Sequence, residues 1–182
     1  YTYLRMPVYH SSLNDFPGEK ICSTAVFPLK TKIKGPANQA DPSKPDIIDE
    51  AIELFRANVL FKKFQPEGPA DLTLVYLTIY IAEVLRLLAT QKKKTDGAKK
   101  LVELTMKANF SIPGEKDWPL AGFFANPKDR KESETFRQYY RQLREECGNR
   151  VLELAFQASD GEQNKWWIQF SKRKFLNINS TN

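Results

Sequence analysis

The most hydrophobic part of the chain reads LTLVYLTIYIAEVLRLL and runs from residue 72 to residue 88. Apolar residues fill nearly every position of its first four turns, so a helix here has no polar face to turn toward water. This pattern predicts a central helix over about 70–90 that is buried on all sides by other helices. The segment has 17 residues and contains Glu83 and Arg86, whereas a membrane span needs about 20 residues with few or no charges.

Three longer helices and one short helix are predicted around this segment. The first begins at Asp46, because an aspartate N-cap accepts hydrogen bonds from the free N–H groups of a first turn. The next two are predicted over about 98–109 and 131–157, each with an apolar stripe at helical spacing. The last is placed around Trp166 and Phe170, which lie four residues apart.

The connection before the 98–109 helix is predicted to be an exposed loop. It reads QKKKTDG over 91–97, and lysines followed by Asp-Gly are typical of a solvated turn. Leu101 and Val102 are expected on the inner side of the helix that follows.

The N-terminal part of the chain is expected to form an irregular arm. Prolines recur between Met6 and Pro45 and exclude a long helix there. Residues 23–27 and 29–34 are expected to be extended, and the expected anchors on the helices are Phe27, Leu29 and Ile33. Residues 6–177 are therefore predicted to form a single all-α domain of about five helices, with the N-terminal arm at 6–45. Residues 1–5 are interpreted as an extension before a natural start at Met6, and residues 178–182 as a frayed tail.

The composition disfavours most catalytic classes. The 182 residues include one histidine, His10, and two distant cysteines, Cys22 and Cys147. A zinc site or a catalytic triad needs well-placed imidazoles, and a phosphate loop needs a glycine pattern that does not occur here. Cys147 is expected to be a small core residue, and the adjacent acids Asp49 and Glu50 are expected on solvated surface. We predict no enzyme activity, no catalytic residue, no metal and no cofactor.

The charge is mildly basic. Lys and Arg total 28 against 22 acidic residues, which gives a formal net charge of +6. This excess suits an acidic protein partner, an anionic surface or nucleic acid, and it does not choose among them. No basic-then-apolar leader pattern is seen, and a soluble cytoplasmic protein with reduced thiols is expected.

The C-terminal segment combines aromatic and basic residues. It reads KWWIQF over 165–170 and continues through Ser171 to Lys172, Arg173 and Lys174. Such a segment suits stacking on single-stranded nucleic acid, and it equally suits a protein interface. Because neighbours on a helix point about 100° apart, one tryptophan can face the core and the other a partner. The outward role is assigned to the second tryptophan of the pair.

A set of segments in consistent order carries a family resemblance. They are Pro7–Ser12, Phe27–Ala37, Asp46–Ala51, Phe55–Phe64, Ala70–Tyr76, Asn109–Glu115, Trp118–Leu120, Tyr139–Arg144, Lys165–Trp167 and Lys172–Asn177. Together they make the chain similar to the family of the roughly 21-kDa subunit, subunit 3, of the actin-related protein 2/3 complex. The resemblance extends from Met6 to Asn177.

The resemblance implies a fold and a role. It implies an all-α domain of five helices with one helix surrounded by the others, and a non-catalytic subunit of a seven-subunit assembly that nucleates branched actin filaments. The implied position is against the larger actin-related protein, in the actin cytoskeleton of the cytoplasm, and ATP would be held by the actin-like subunits. Direct contact with the actin filament is left open.

The predicted contact residues come from the apolar loop and the C-terminal segment. They are Trp118, Leu120, Trp167, Lys172, Arg173 and Lys174. The expected partners are the other subunits of the complex, with no nucleic acid and no membrane span. The alternative function is a basic helical nucleic-acid-binding module that uses the Trp-Trp and Lys-Arg-Lys segment.

Overall fold

The computed structural model describes residues 9–59, 64–106, 110–157 and 161–172. Its helices are α1 (Ile47–Asn58), α2 (Pro69–Ala89), α3 (Lys94–Met106), α4 (Arg130–Ala155) and α5 (Lys165–Ile168), and a 3₁₀ turn over Gln169–Lys172 continues the last. Two short strands, β1 (Lys20–Ile21) and β2 (Thr24–Ala25), pair antiparallel in the N-terminal arm. The protein is therefore mostly helical, and the small sheet makes the predicted all-α class an approximation.

Helix α2 is the axis of the fold, as its uniform hydrophobicity predicts. It contacts every other α-helix and also strand β2. Its 21 residues are long and apolar enough to cross a membrane by length and composition alone, but 78% of its most apolar stretch is buried inside the protein. The apolar surface of α2 is thus covered by the other helices and strand β2 of the same chain.

The two ends of α2 are completed in different ways. Pro69 stands at its first position, where the missing N–H costs no helical hydrogen bond. At the other end, the Gln163 side chain donates hydrogen bonds from Nε2 to the carbonyl oxygens of Leu88 and Ala89, each at 3.1 Å. The segment before α5 therefore satisfies carbonyls that the helix itself leaves free.

Helices α1 and α4 begin where the sequence predicts. The Asp46 carboxylate accepts a hydrogen bond from Asp49 N, and the Asp49 carboxylate accepts one from Asp46 N, which completes a capping box. Asp129 caps α4 in a similar way by accepting from Glu132 N. The predicted stripe of α4 is buried except for Leu154, which is partly buried, and Cys147 is in its expected place in the core.

Helix α3 corrects two expectations. It begins at Lys94, so the second half of the predicted 91–97 loop is helical. Gly97 lies inside this helix, and a Cβ atom there would meet Leu88 Cδ2 at 3.0 Å and Phe156 Cε2 at 3.1 Å. The glycine thus permits close packing of helices, where the sequence suggested a turn. Val102, expected to face inward, is 52% exposed.

The N-terminal arm lies on the helices and is held by side chains of α4. Phe27 and Leu29 are fully buried, as predicted, whereas Ile33 is only partly buried. The predicted strand over 29–34 is wrong, because Leu29 forms only an isolated bridge with Gln39 and residues 30–34 are irregular. The Tyr139 hydroxyl accepts a hydrogen bond from Phe27 N at 2.9 Å and donates one to Phe27 O at 3.0 Å. Further along, Gln142 Nε2 donates to Ile33 O at 2.9 Å. Residues 1–5 and 178–182 lie outside the described residues.

Candidate functional site

The loop between α3 and α4 places two predicted contact residues in the core. Trp118 and Leu120 are both buried. The Trp118 ring stacks on Tyr76 at 5.7 Å and meets Phe124 and Phe136 edge-on at 5.2 and 5.9 Å. Aromatic pairs in these arrangements contribute beyond their buried area. The two residues therefore hold the loop against α2 and α4, and a contact with a partner stays a prediction for both.

The two adjacent tryptophans of α5 point in different directions, and the predicted assignment of the outward one is wrong. Trp167 is only 8% exposed and stacks on Phe55 of α1 at 6.3 Å. Trp166 is 58% exposed. The angle between neighbouring helical positions predicts that the rings diverge, but only the placement of α5 beside α1 decides which ring is covered.

Arg56 of α1 reaches both tryptophans. Its guanidinium carbon lies 4.7 Å from the ring centroid of Trp166 and 5.5 Å from that of Trp167. These are cation–π distances, and the interaction holds the exposed indole against α1. We refer to Arg56, Lys165 and Trp166 as the indole patch. Sequence reasoning missed Arg56 because it is far from the C-terminal segment along the chain.

The basic end of the chain is described only in part. Lys172 ends the 3₁₀ turn and is exposed. Arg173 and Lys174 lie outside the described residues, so their roles stay predictions.

A polar network joins the arm, α1 and α4. Arg150 makes ion pairs with Asp46 at 2.8 Å, Asp49 at 2.9 Å and Glu146 at 2.9 Å. It also donates to the carbonyl oxygen of Lys30 at 2.8 Å. Burial raises the pKa of Asp46, but hydrogen bonds from Arg150 and from the backbone outweigh it, so that the pKa is lowered overall. Asp49 is thus part of a half-buried network, and its expected place on solvated surface is wrong.

His10 belongs to a second polar cluster, at the start of α2. Its Nδ1 lies 2.6 Å from Asp71 Oδ2, and its Nε2 lies 3.3 Å from Glu67 Oε1. The Asp71 carboxylate also accepts hydrogen bonds from Ser11 N at 2.7 Å and Glu67 N at 2.9 Å. These three side chains are of the types that ligate metals, and they lie close enough to share an ion. The hydrogen bonds already satisfy Asp71 and fasten the arm to α2.

The cysteines are in environments that suppress thiol chemistry. Burial raises the pKa of Cys147 to about 12. Burial, reinforced by the Glu132 carboxylate, raises the pKa of Cys22 to about 12 as well. Because the thiolate is the nucleophile, neither cysteine is suited to covalent catalysis near neutral pH.

The described residues define a class of protein. It is a helical domain in which the Arg150 and His10 networks join elements to one another and the two thiols have raised pKa values, and its exposed tryptophan beside cations is of the composition found at protein interfaces. A sequence profile of the P21-Arc family, described as the ARPC3 (21 kDa) subunit of the ARP2/3 complex, matches residues 6–179. The chain belongs to this family.

Curated relatives are similar over nearly their whole length. The chain is 44% identical over 172 residues to actin-related protein 2/3 complex subunit 3 of Arabidopsis thaliana, covering 94% of this chain and 98% of the relative. The subunit 3 of Dictyostelium discoideum is also 44% identical over 172 residues, with 93% and 98% covered. That of Schizosaccharomyces pombe is 43% identical over 175 residues, with 94% and 98% covered.

Proposed function

We propose that this protein is a non-catalytic structural subunit of the actin-related protein 2/3 complex, and that it supports the larger actin-related protein in the arrangement that begins a branched actin filament. The observation that carries the proposal is the match to subunit 3, which covers 98% of the Arabidopsis thaliana relative.

The internal packing supports a rigid supporting role. One helix forms the axis, and both the N-terminal arm and the 110–129 loop bury aromatic residues against the helices around it. A subunit built in this way presents a fixed surface, so little conformational entropy is lost when a partner binds. A stable subunit contact of this kind buries more than about 1,200 Å² in total.

The charge balance supports an acidic partner. The net charge is +6, and positive charge on one protein accelerates encounter with an acidic one. We propose that Lys172, Arg173 and Lys174 contribute to this contact directly. Trp118, Leu120 and Trp167 are buried, so we propose that they support the contact surface by packing beneath it.

The test is a native affinity purification of the tagged full-length chain, washed at about 0.3 M salt, where exposed charge contacts are strongly screened. Recovery of two actin-like chains and several small subunits in fixed proportion would support the proposal. Recovery of the chain alone, or with nucleic acid that is lost in the wash, would contradict it. The second outcome would favour the alternative of a nucleic-acid-binding module.

A further inference from the structure

Trp166 is the most exposed large hydrophobic residue in the part of the chain that the structure describes. It is 58% exposed, and the other two residues of this kind are Val102 and Tyr9. Its neighbours on the same segment pack inward, since Trp167 is buried and Phe170 meets Phe55 edge-on at 5.8 Å. The Trp166 ring is therefore not part of the core, and its apolar area lies on the surface.

Hydrogen bonds fix the backbone of Trp166, and Arg56 contacts its ring. Trp166 N donates to Asn164 Oδ1 at 3.0 Å, and Trp166 O accepts from Gln169 Nε2 at 2.8 Å. The Arg56 guanidinium lies over the ring at 4.7 Å. An aromatic side chain that is already ordered loses little entropy on binding, which is a property of interface anchors.

The cations around this indole have no acidic partner within the described ranges. Six other cations, namely Lys30, Lys94, Lys100, Arg130, Arg137 and Arg150, each form an ion pair within 4.0 Å. Arg56 and Lys165 form none with a described carboxylate, and neither does Lys172 further along the segment. Glu53 and Glu162, the nearest acids in sequence, are not within that distance. Most other lysines and arginines of the described ranges are also without an ion pair, so these cations are available to an external anion, and the exposed indole beside them is what distinguishes the site.

We propose that the indole patch, formed by Arg56, Lys165 and Trp166, is the anchor that docks an acidic surface of another subunit of the complex. The indole would enter an apolar recess on the partner, and carboxylates beside the recess would pair with Arg56 and Lys165. This inference rests on the proposed function and adds the residues and the chemistry of the contact.

The arrangement of the rings favours a protein over single-stranded nucleic acid. Stacking on successive bases requires aromatic faces that are free. Arg56 covers one face of Trp166, and Trp167 is stacked on Phe55. The adjacent rings therefore do not form a run of open faces, while an Arg-Trp pair is the composition of a protein hot spot.

The first test compares incorporation of full-length variants into the complex in cells that also express the untagged wild-type chain. Trp166→Ala is expected to lower the recovered share of the variant by about thirtyfold, the scale of a hot-spot aromatic. Arg56→Gln is also expected to lower the share of the variant that is recovered in the complex. The matched control is Val102→Ala, which removes a similarly exposed apolar side chain from α3 and is expected to incorporate like the wild type.

The second test identifies the chemistry of the partner. A photo-crosslinking residue, Glu53→p-benzoylphenylalanine, leaves all three residues of the indole patch and the hydrogen bonds of Trp166 in place, because Glu53 is exposed one turn before Arg56 on α1. The expected product is a cross-link to a peptide of another subunit that is rich in aspartate and glutamate. The same residue at Glu103, beside Val102, is expected to give no such product.

Several outcomes would overturn the inference. Normal incorporation of Trp166→Ala would remove the anchor role, and a loss of thermal stability in that variant as large as in Trp167→Ala would make the role structural. A cross-link to nucleic acid would replace the protein partner. Absence of the wild-type chain itself from the complex would instead overturn the proposed function, and the partner assignment with it.

Discussion

At the scale of single residues, two buried tyrosines differ in what their hydroxyl groups do. The Tyr139 hydroxyl bonds both backbone groups of Phe27, whereas the Tyr80 hydroxyl is buried with no hydrogen-bond partner among the described residues. Burial raises the pKa of both tyrosines, so both hydroxyls stay protonated. We predict that Tyr139→Phe lowers the free energy of unfolding by about 2–3 kcal/mol, because it leaves a buried N–H and a buried C=O unpaired.

Tyr80→Phe is the matched control for that variant. It removes the same atom type from the neighbouring helix and is expected to be neutral within about 0.5 kcal/mol, because no described bond is lost. Urea denaturation of both variants checks the pair. Equal losses of unfolding free energy in the two variants would show that the hydrogen bonds between Tyr139 and Phe27 do not hold the arm.

The two tryptophans of α5 make the second prediction at this scale. Trp167→Ala removes a buried ring that stacks on Phe55 and is expected to cost about 3–5 kcal/mol of unfolding free energy. Trp166→Ala removes a mostly exposed ring and is expected to cost less than about 1 kcal/mol. Thermal denaturation of the two variants checks this, and Trp167→Ala is expected to have the lower melting temperature. The reverse order would contradict the assignment of the two rings.

The residue types predicted which side chains are buried better than they predicted which of two neighbouring side chains faces outward. Phe27, Leu29 and Cys147 lie in the core as their sequence patterns predict. The choice between Trp166 and Trp167 could not be made from the sequence, because it depends on how a four-residue helix meets α1. Arg56 was missed for the same reason, since its contact with the indoles joins segments 110 residues apart.

At the scale of elements, the Arg150 network joins α1, α4 and the arm through the fully buried carboxylate of Asp46. The pKa of Asp46 is lowered in the folded protein, so the network stabilises the fold above the unfolded pKa of about 3.9 and loses this contribution as the pH falls through the folded value. We predict that the free energy of unfolding of the wild type falls below about pH 4. We predict that Asp46→Asn is less stable at pH 7 and that its free energy of unfolding changes less with pH in the acid range.

Asparagine suits this test because it is also a good N-cap, so the start of α1 is retained while the charge is removed. The measurement is the free energy of unfolding from urea curves between pH 2.5 and 7, compared between the two proteins. Parallel pH profiles would show that Asp46 does not contribute to the acid sensitivity.

The crossing of α3 and α4 depends on a glycine. A Cβ atom at Gly148 would lie 2.9 Å from Leu101 Cδ1 and 3.3 Å from the Tyr80 hydroxyl. We predict that Gly148→Ala lowers stability by about 1–2 kcal/mol, because overpacking exceeds the gain of about 1 kcal/mol in helix propensity. A double-mutant cycle with Leu101→Ala checks this, and the pair is expected to cost less than the sum of the single variants.

Elements with strong local signals were predictable, and those set by tertiary packing were not. The proline-free apolar stretch and the Asp46 cap predict α2 and the start of α1. The start of α3 was misplaced, because QKKKTDG has the composition of a loop while Gly97 is needed for the close approach of Leu88 and Phe156. Strand β2 of the N-terminal hairpin lies inside the segment 23–27 that is predicted to be extended, but its pairing with β1 involves only two residue pairs and is not evident from the sequence.

At the scale of the whole molecule, a central apolar helix and a docked arm share one hydrophobic core within the described part of the chain, and the central place of α2 follows from its composition. Composition alone left the choice of partner open. Two observations narrow that choice to the actin-related protein 2/3 complex. The family segments occur in the same order along the chain, and the chain is similar over its full length to subunit 3 of other organisms.

We propose that this chain supports the larger actin-related protein, and the decisive experiment is reconstitution of the complex with and without the chain. Native mass spectrometry would measure the occupancy of each subunit. We predict that omission selectively lowers the occupancy of the larger actin-related protein and that adding the wild-type chain restores it. Unchanged occupancy, or an equal loss of every subunit, would contradict the claim.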